Sequence, residues 1–213
     1  MAPPPPALTL QFDVKGVDYE LVVMRPPGDL TPAFLKMNPN GLVPVLQDGD
    51  FTMFEGNAIM TYLADKNGWK DVYPTELKAR AKVNEYLHWH HTHARLGTPQ
   101  VLVPLIMEGA GKASTAQLEM VQNTEATIAK SVDIMEKLFV KPYIAQSTQP
   151  TVADYACYCE MDQLEIMDVF DFTKYPKTSD WMKRMKDVPF HDEIRVTLNE
   201  FLTKMNLNPA PKK

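Results

Sequence analysis

The sequence contains only two cysteines in 213 residues, too few for a disulfide framework. Cys157 and Cys159 stand two apart in a helical stretch and face different sides, so they read as free packing thiols, neither a disulfide nor a metal pair. An excess of basic charge is also absent. With 22 Lys+Arg against 27 Asp+Glu, the net charge of -5 excludes nucleic acid as an expected partner, because phosphate binding needs a basic field. No apolar run approaches the roughly 18 residues that would span a bilayer, so no membrane partner is expected. The opening MAPPPPALTL has neither the basic flank nor the apolar core of a secretory signal, and the expected location is cytoplasmic. What remains is a chain of ordinary hydrophobic content, 45%, long enough for two small cores.

The most informative stretch is NPNGLVPVLQDGDFTMFEGNAIMTYLAD, from Asn38 to Asp65. Val45 and Leu46 precede Gln47, Asp48, Gly49 and Asp50, and Phe51, Met53 and Phe54 follow. Apolar runs flanking an Asp-Gly step predict two antiparallel strands joined by a tight turn. Glu55, Gly56 and Asn57 then introduce Ala58, Ile59, Tyr62 and Leu63 at helical spacing. This arrangement places the unpaired N–H groups of a helix start beside the hairpin, where a carboxylate would be stabilised. Val43-Pro44 enters the first strand. A cis bond there would turn the Val43 N–H and C=O outward for a ligand to pair with.

This run resembles the glutathione-binding motif of cytosolic glutathione transferases, which reads Asn-Pro-x-Gly-x-Val-Pro-x-Leu, a hairpin, and Glu-Ser-x-Ala-Ile. The resemblance implies glutathione as co-substrate, with Val43 and cis Pro44 pairing with its cysteinyl backbone and Glu55 and Gly56 holding its γ-glutamyl group. Gly56 departs from the pattern, since the family's serine hydroxyl is missing and only the backbone N–H remains. Two further donors of theta-like relatives, a His and a Lys for the glycyl carboxylate, are replaced by Leu30 and Leu42; Lys36 and Asn40 are the groups placed to compensate.

The N-terminus departs further. Aligning back from Gly16, Val17, Asp18, Tyr19, Glu20 and Leu21, which resemble the end of the family's first helix and its second strand, puts residues 3–6 at that helix's opening turn. Ala2 then falls near the family's catalytic hydroxyl, and the family's first strand has no counterpart in the sequence. A hydroxyl is needed there to hydrogen-bond the thiolate and lower the thiol pKa, and alanine supplies none. Thr9 carries the nearest hydroxyl but lies two helical turns away, so no catalytic residue is assigned. An unfilled first-strand position would leave residues 18–24 and Val45 with Leu46 carrying open backbone groups. Either the chain is a truncated or alternative product, or it repairs the sheet differently.

Helical periodicity stops at Gly68, and Pro74 precedes the next start, which sets the expected domains at 1–68, a linker at 69–74, and 75–213. From there the pattern is all helical. Thr75 is placed to cap ELKARAKVNEYLHWHHTHARLG, which resumes beyond Gly97, Thr98 and Pro99; Ser114 opens one helix over TAQLEMVQNTEATIAKSVDIMEKLFV; Thr151 and Asp154 form a capping box before the next; two shorter helices follow near 177–187 and 190–205. The capping box carries folding and no chemistry, at no more than about 1 kcal/mol each for Thr151 and Asp154. KPYIAQSTQPTVADYACYCEMDQLEI resembles the family's signature before its capped core helix, and Trp89 and Arg95 match theta-class places.

The whole chain is thus expected to adopt the glutathione transferase fold, an incomplete α/β thioredoxin-like domain followed by an all-α helical bundle. His88, His90, His91 and His93 crowd one helix, but the i, i+3 pairs lie on different faces without a completing carboxylate, so they read as packing and no metal is expected. The resemblance implies two functional alternatives. One is an enzyme conjugating the glutathione thiol to small apolar electrophiles held by residues such as Met107 and Leu102; the other is a non-catalytic ligand-binding or dimerising protein of the same fold. In either case the family implies a homodimer.

Overall fold

The computed structural model describes residues 6–24 and 28–204. Ala2, which the alignment places at the catalytic position, residues 3–5 and Met205 lie outside them. Among the described residues the order is α1 (Pro6–Lys15), α2 (Pro32–Met37), β1 (Val45–Asp48), β2 (Phe51–Phe54), α3 (Gly56–Lys66), α4 (Leu77–His90), α5 (Val103–Gly109), α6 (Thr115–Gln122), α7 (Thr124–Leu138), α8 (Val152–Ile166), α9 (Pro176–Met185) and α10 (His191–Lys204).

The hairpin forms where its turn chemistry demands. Asp48 pairs with Phe51 across a two-residue turn, and Gly49 takes the positive φ of 63° that a side chain would resist. Val45 pairs with Phe54 and Leu46 with Met53 in the same antiparallel register. Asp48 also anchors the hairpin to α3, accepting from the Tyr62 hydroxyl at 2.8 Å and from the Lys66 ammonium. These two hydrogen bonds hold its carboxyl below the usual range. On its other edge β1 has no strand among the described residues, and residues 18–24 take no regular secondary structure and make no backbone hydrogen bond among them. Leu21, Val22 and Val23 are exposed at 48%, 69% and 37%. The stretch that aligns with the family's second strand forms no strand among the described residues.

The segment after α3 is anchored at two residues. Val72 and Tyr73 are buried, Val72 accepts from the Val152 N–H at 3.0 Å, and Lys15 pairs with Asp71. Arg80 grips Asp65 with two N–H groups and also donates to the Pro74 carbonyl at 2.7 Å, which ties α3 to α4.

Three details of the helices differ from the sequence pattern. Glu76, rather than Thr75, caps α4, because its carboxylate reaches both the Lys78 and Ala79 N–H groups, at 3.0 and 2.7 Å. The helix opened by Ser114 breaks at Asn123, whose side-chain amide takes the Glu119 carbonyl at 2.8 Å and competes with the backbone ladder. Between α4 and α5 the chain passes through a 3₁₀ turn at Ala94–Leu96 and a π-helical turn at Thr98–Leu102. Gly97 sits at that break. A Cβ there would stand 3.4 Å from Leu164, so its small size lets the broken helix lie close against α8.

The core is built around α8, in which every residue from Val152 to Cys159 is buried. Its start is more than a local cap. The fully buried Asp154 carboxylate accepts from the Thr151 N–H and hydroxyl at 2.8 and 2.9 Å, from the Ile144 N–H at 2.9 Å and from Trp181 Nε1 at 2.9 Å. Four donors from three segments converge on one group, which revises the capping contribution upward from the sequence reading.

Candidate functional site

The four residues singled out in the sequence form two steps, and the fold brings the steps together. Val43-Pro44 is cis and leads directly into β1, while Glu55-Gly56 links β2 to α3. A Cβ placed on Gly56 would lie 3.5 Å from Pro44 Cγ, so the start of α3 and the proline ring are separated by about the space of one side-chain carbon. Val43 is 47% exposed, and no hydrogen bond reaches its backbone among the described residues. Its N–H and C=O have no hydrogen-bond partner among the described residues, just ahead of the strand.

Glu55 occupies the N-cap position of α3 at φ 75° with no side-chain capping bond, while its carbonyl accepts the first helical hydrogen bond from the Ile59 N–H at 2.9 Å. The first-turn N–H groups of Gly56, Asn57 and Ala58 consequently have no intrahelical partner. Together with the helix dipole they favour a negative group. Glu55 itself is exposed at the rim, placed to meet a cation. A zwitterion with an amine for Glu55 and a carboxylate for the helix start fits this pairing.

The approach to Val43 is held by Asn38, whose side-chain amide donates to the Leu42 carbonyl at 2.8 Å and whose Oδ1 accepts from the Asn40 N–H at 3.1 Å. Asn40 is thereby engaged with its own loop. Leu42 is 65% exposed, and Lys36 is exposed without an ion pair among the described residues. Thr9 is buried in α1 at 8% exposure.

Two residues not singled out for this site reach it. Asn57, the second residue of α3, donates to the Leu87 carbonyl at 3.4 Å and lies 3.5 Å from His91 Nε2. The start of α3 is thus tied to the end of α4. The pairing has no local signature, since 34 residues separate Asn57 from His91.

The four clustered histidines do not converge. His88 and His91 are exposed, and His93 stacks on Trp89 at 4.5 Å. His90 is buried against Tyr86, where desolvation, with help from the His91 and Arg95 charges, pushes its pKa down to about 3. Beyond them Arg95 pairs with Glu160 at 3.0 Å, and Glu160 also accepts from Thr98 and Gln163. Of the two residues proposed for an electrophile pocket, Met107 is half-buried, whereas Leu102 is buried beneath Met167 and Leu198.

Residues 8–66 match the family model for the glutathione S-transferase N-terminal domain, and residues 98–189 match that for its C-terminal domain. Glutathione S-transferase T1 of Arabidopsis thaliana is 28% identical over 93% of this chain and 86% of its own length. Glutathione S-transferase 1 of Manduca sexta is 31% identical over 93% of this chain and 90% of its own. The apo structure of human glutathione S-transferase T1-1 superposes with a TM-score of 0.81 at 26% identity, covering 97% of this chain and 88% of that one. The hairpin with its cis proline, the capped buried helix and these matches along both halves place the sequence: the chain belongs to the glutathione S-transferase family, as a theta-like member.

Proposed function

We propose that the chain binds glutathione along Val43, Pro44, Glu55 and Gly56 and conjugates its thiol to small apolar electrophiles. The observation that carries this reading is the start of α3 lying beside Pro44, next to a Val43 backbone with no hydrogen bond among the described residues. In this arrangement the tripeptide's cysteinyl backbone adds to Val43 as an extra strand would. Its γ-glutamyl carboxylate meets the first-turn N–H groups of α3, and its amine meets Glu55. Residues 1–68 form the glutathione-binding domain, 69–74 the linker and 75–213 the helical domain. Two copies associate as a homodimer in the cytoplasm, and neither a membrane nor nucleic acid takes part.

Conjugation requires a thiolate, and therefore a hydrogen-bond donor at the sulfur. A second reading, a non-catalytic ligand-binding member, is favoured by one observation. Thr9, the hydroxyl nearest in sequence to the expected catalytic place, is buried.

Calorimetry with glutathione, paired with turnover of a generic aryl halide, tests both. Binding that weakens about tenfold in Glu55→Ala, roughly the 1.4 kcal/mol of one charge-assisted contact, supports the site. Glutathione-dependent turnover supports the enzyme. Binding without turnover establishes the second reading, and no binding overturns both.

A further inference from the structure

A second concave site lies in the helical domain, and no residue of 1–68 lines it. Tyr86 and Trp89 reach it from α4, where residues three apart share a face, and Ile134 and Leu138 reach it from α7, one turn apart. Ile144, from the segment after α7, completes the wall at 4% exposure. The Tyr86 and Trp89 rings lie 5.5 Å apart and tilted by 45°, so aromatic and aliphatic surface meet in one cavity. Its volume is about 90 Å³.

Size and lining decide what can enter. A single water needs roughly 10–15 Å³, and the cavity beside Tyr158 and Leu198, about 10 Å³, holds no more than that. At about 90 Å³ the cavity between α4 and α7 approaches the roughly 150 Å³ of an apolar cavity that admits benzene. Apolar walls give enclosed waters few partners, so one ring in their place is favoured. Charge enters the lining only as a pair. The Lys82 ammonium lies 3.0 and 2.8 Å from the two Glu85 oxygens, so an ionic ligand would have to break that pair, whereas a neutral hydroxyl can donate to a carboxylate lone pair that Lys82 leaves open. The remaining lining residue, Gln146, is exposed and brings an amide with both donors and an acceptor. Its backbone stands at φ 55°, in the left-handed region that favours glycine. Non-glycine residues held in that region cluster at ligand clamps.

We propose that this cavity binds a small neutral aromatic molecule carrying one hydroxyl group, of the size of phenol. The ring lies among Tyr86, Trp89, Ile134, Leu138 and Ile144, where aromatic neighbours add to the burial of its surface. The hydroxyl donates to Glu85 and accepts from the Gln146 amide. With roughly seven non-hydrogen atoms, such a ligand supports a dissociation constant of about 1 mM, well inside the ceiling for so small a molecule. Binding is reversible and forms no covalent bond. It uses neither glutathione nor the start of α3, so it stands apart from the function proposed above.

Methyl NMR of the full chain, labelled at isoleucine and leucine and free of glutathione, tests the site with phenol titrated to about 10 mM, ten times the expected constant. The Ile134, Leu138 and Ile144 methyls should shift and saturate together, while that of Ile59, buried in α3, stays in place. Toluene, which lacks the hydroxyl, should bind about fivefold more weakly, the effect of one hydrogen bond. Leu138→Phe fills the cavity and should abolish the shifts. Because that change could disturb packing, Gln146→Gly gives an independent arm at an exposed residue, where glycine suits the backbone and removes only the amide. It should weaken phenol about fivefold and leave toluene unchanged, whereas a merely structural Gln146 would move neither. The proposal is overturned by unmoved methyls at the highest phenol concentration, by shifts spread evenly over both domains, or by toluene binding as tightly as phenol. Shifts that vanish as protein concentration rises would also overturn it, by showing that a second copy fills the cavity.

Discussion

Helix α8 and the β1–β2 hairpin sit at opposite ends of burial. In α8 even the polar Asp154, Asp162 and Gln163 are buried, whereas no residue of the hairpin is. The helix gains its stability from apolar area removed from water and from a carboxylate with every donor in place. The hairpin gains little from either, and an edge unpaired among the described residues, exposed Val43 and the uncapped α3 start leave backbone groups available to a ligand. Binding groups and stabilising groups are segregated: what the hairpin lacks in internal pairing is what a peptide-like ligand supplies.

The largest expected effect is at the buried end of this contrast. Asp154→Ala strands the Ile144 N–H and Trp181 Nε1 in the core, along with the Thr151 donors. It should cost on the order of 4 kcal/mol in urea unfolding, well beyond the loss of a cap. Asp48→Asn, which removes the exposed anchor of the hairpin to α3, should move the midpoint far less. Equal shifts in the two variants would break the contrast.

These two anchors also differ in how far the sequence discloses them. The hairpin was legible because its determinants are adjacent: Asp48 and Gly49 make the turn, and Val43-Pro44 leads into the strand. Thr151 and Asp154 were legible as a capping box, but Ile144 and Trp181 arrive from outside that motif, and only the folded chain brings them to Asp154. The break at Asn123 was missed because the residues on both sides keep helical periodicity, and a side chain competing for one carbonyl leaves no periodic trace. The contact of Asn57 with His91 and the covering of Leu102 by Leu198 are long-range, and periodicity says which residues are apolar without saying which meet. The candidate site was therefore readable as two motifs, and their nearness in the fold was not.

A smaller effect sharpens the contrast through pH. His90 is buried and uncharged, with its pKa pushed down to about 3, while in the unfolded chain it titrates near 6.5. Between those values the unfolded state binds the extra proton, so stability falls as pH falls through this window. Acidification from pH 7 to pH 5 should cost about 2 kcal/mol from this group, at 1.36 kcal/mol per unit below about 6.5. His90→Leu should flatten the dependence of the urea midpoint over that range. A midpoint that is insensitive to pH in both proteins would mean that His90 is charged or solvated.

The smallest effect concerns the binding end alone. Gly56 lacks the hydroxyl that the family's motif carries, and the structure leaves room for a Cβ there. A Cβ there meets Pro44 Cγ at 3.5 Å, an ordinary contact, with the backbone outside the left-handed region. Gly56→Ser should therefore fold as the parent does. Its hydroxyl would add one donor for a carboxylate at the start of α3, worth about 1 kcal/mol or roughly fivefold in affinity. Calorimetry with glutathione should show that gain while the urea midpoint stays within error, because the hairpin region contributes binding groups rather than core. An affinity unchanged in Gly56→Ser but weakened in Glu55→Ala would place the amine of the ligand correctly and its carboxylate away from α3. A midpoint that rises with the serine would show instead that the uncapped helix start limits stability, and that the two ends of the molecule are less segregated than their burial implies.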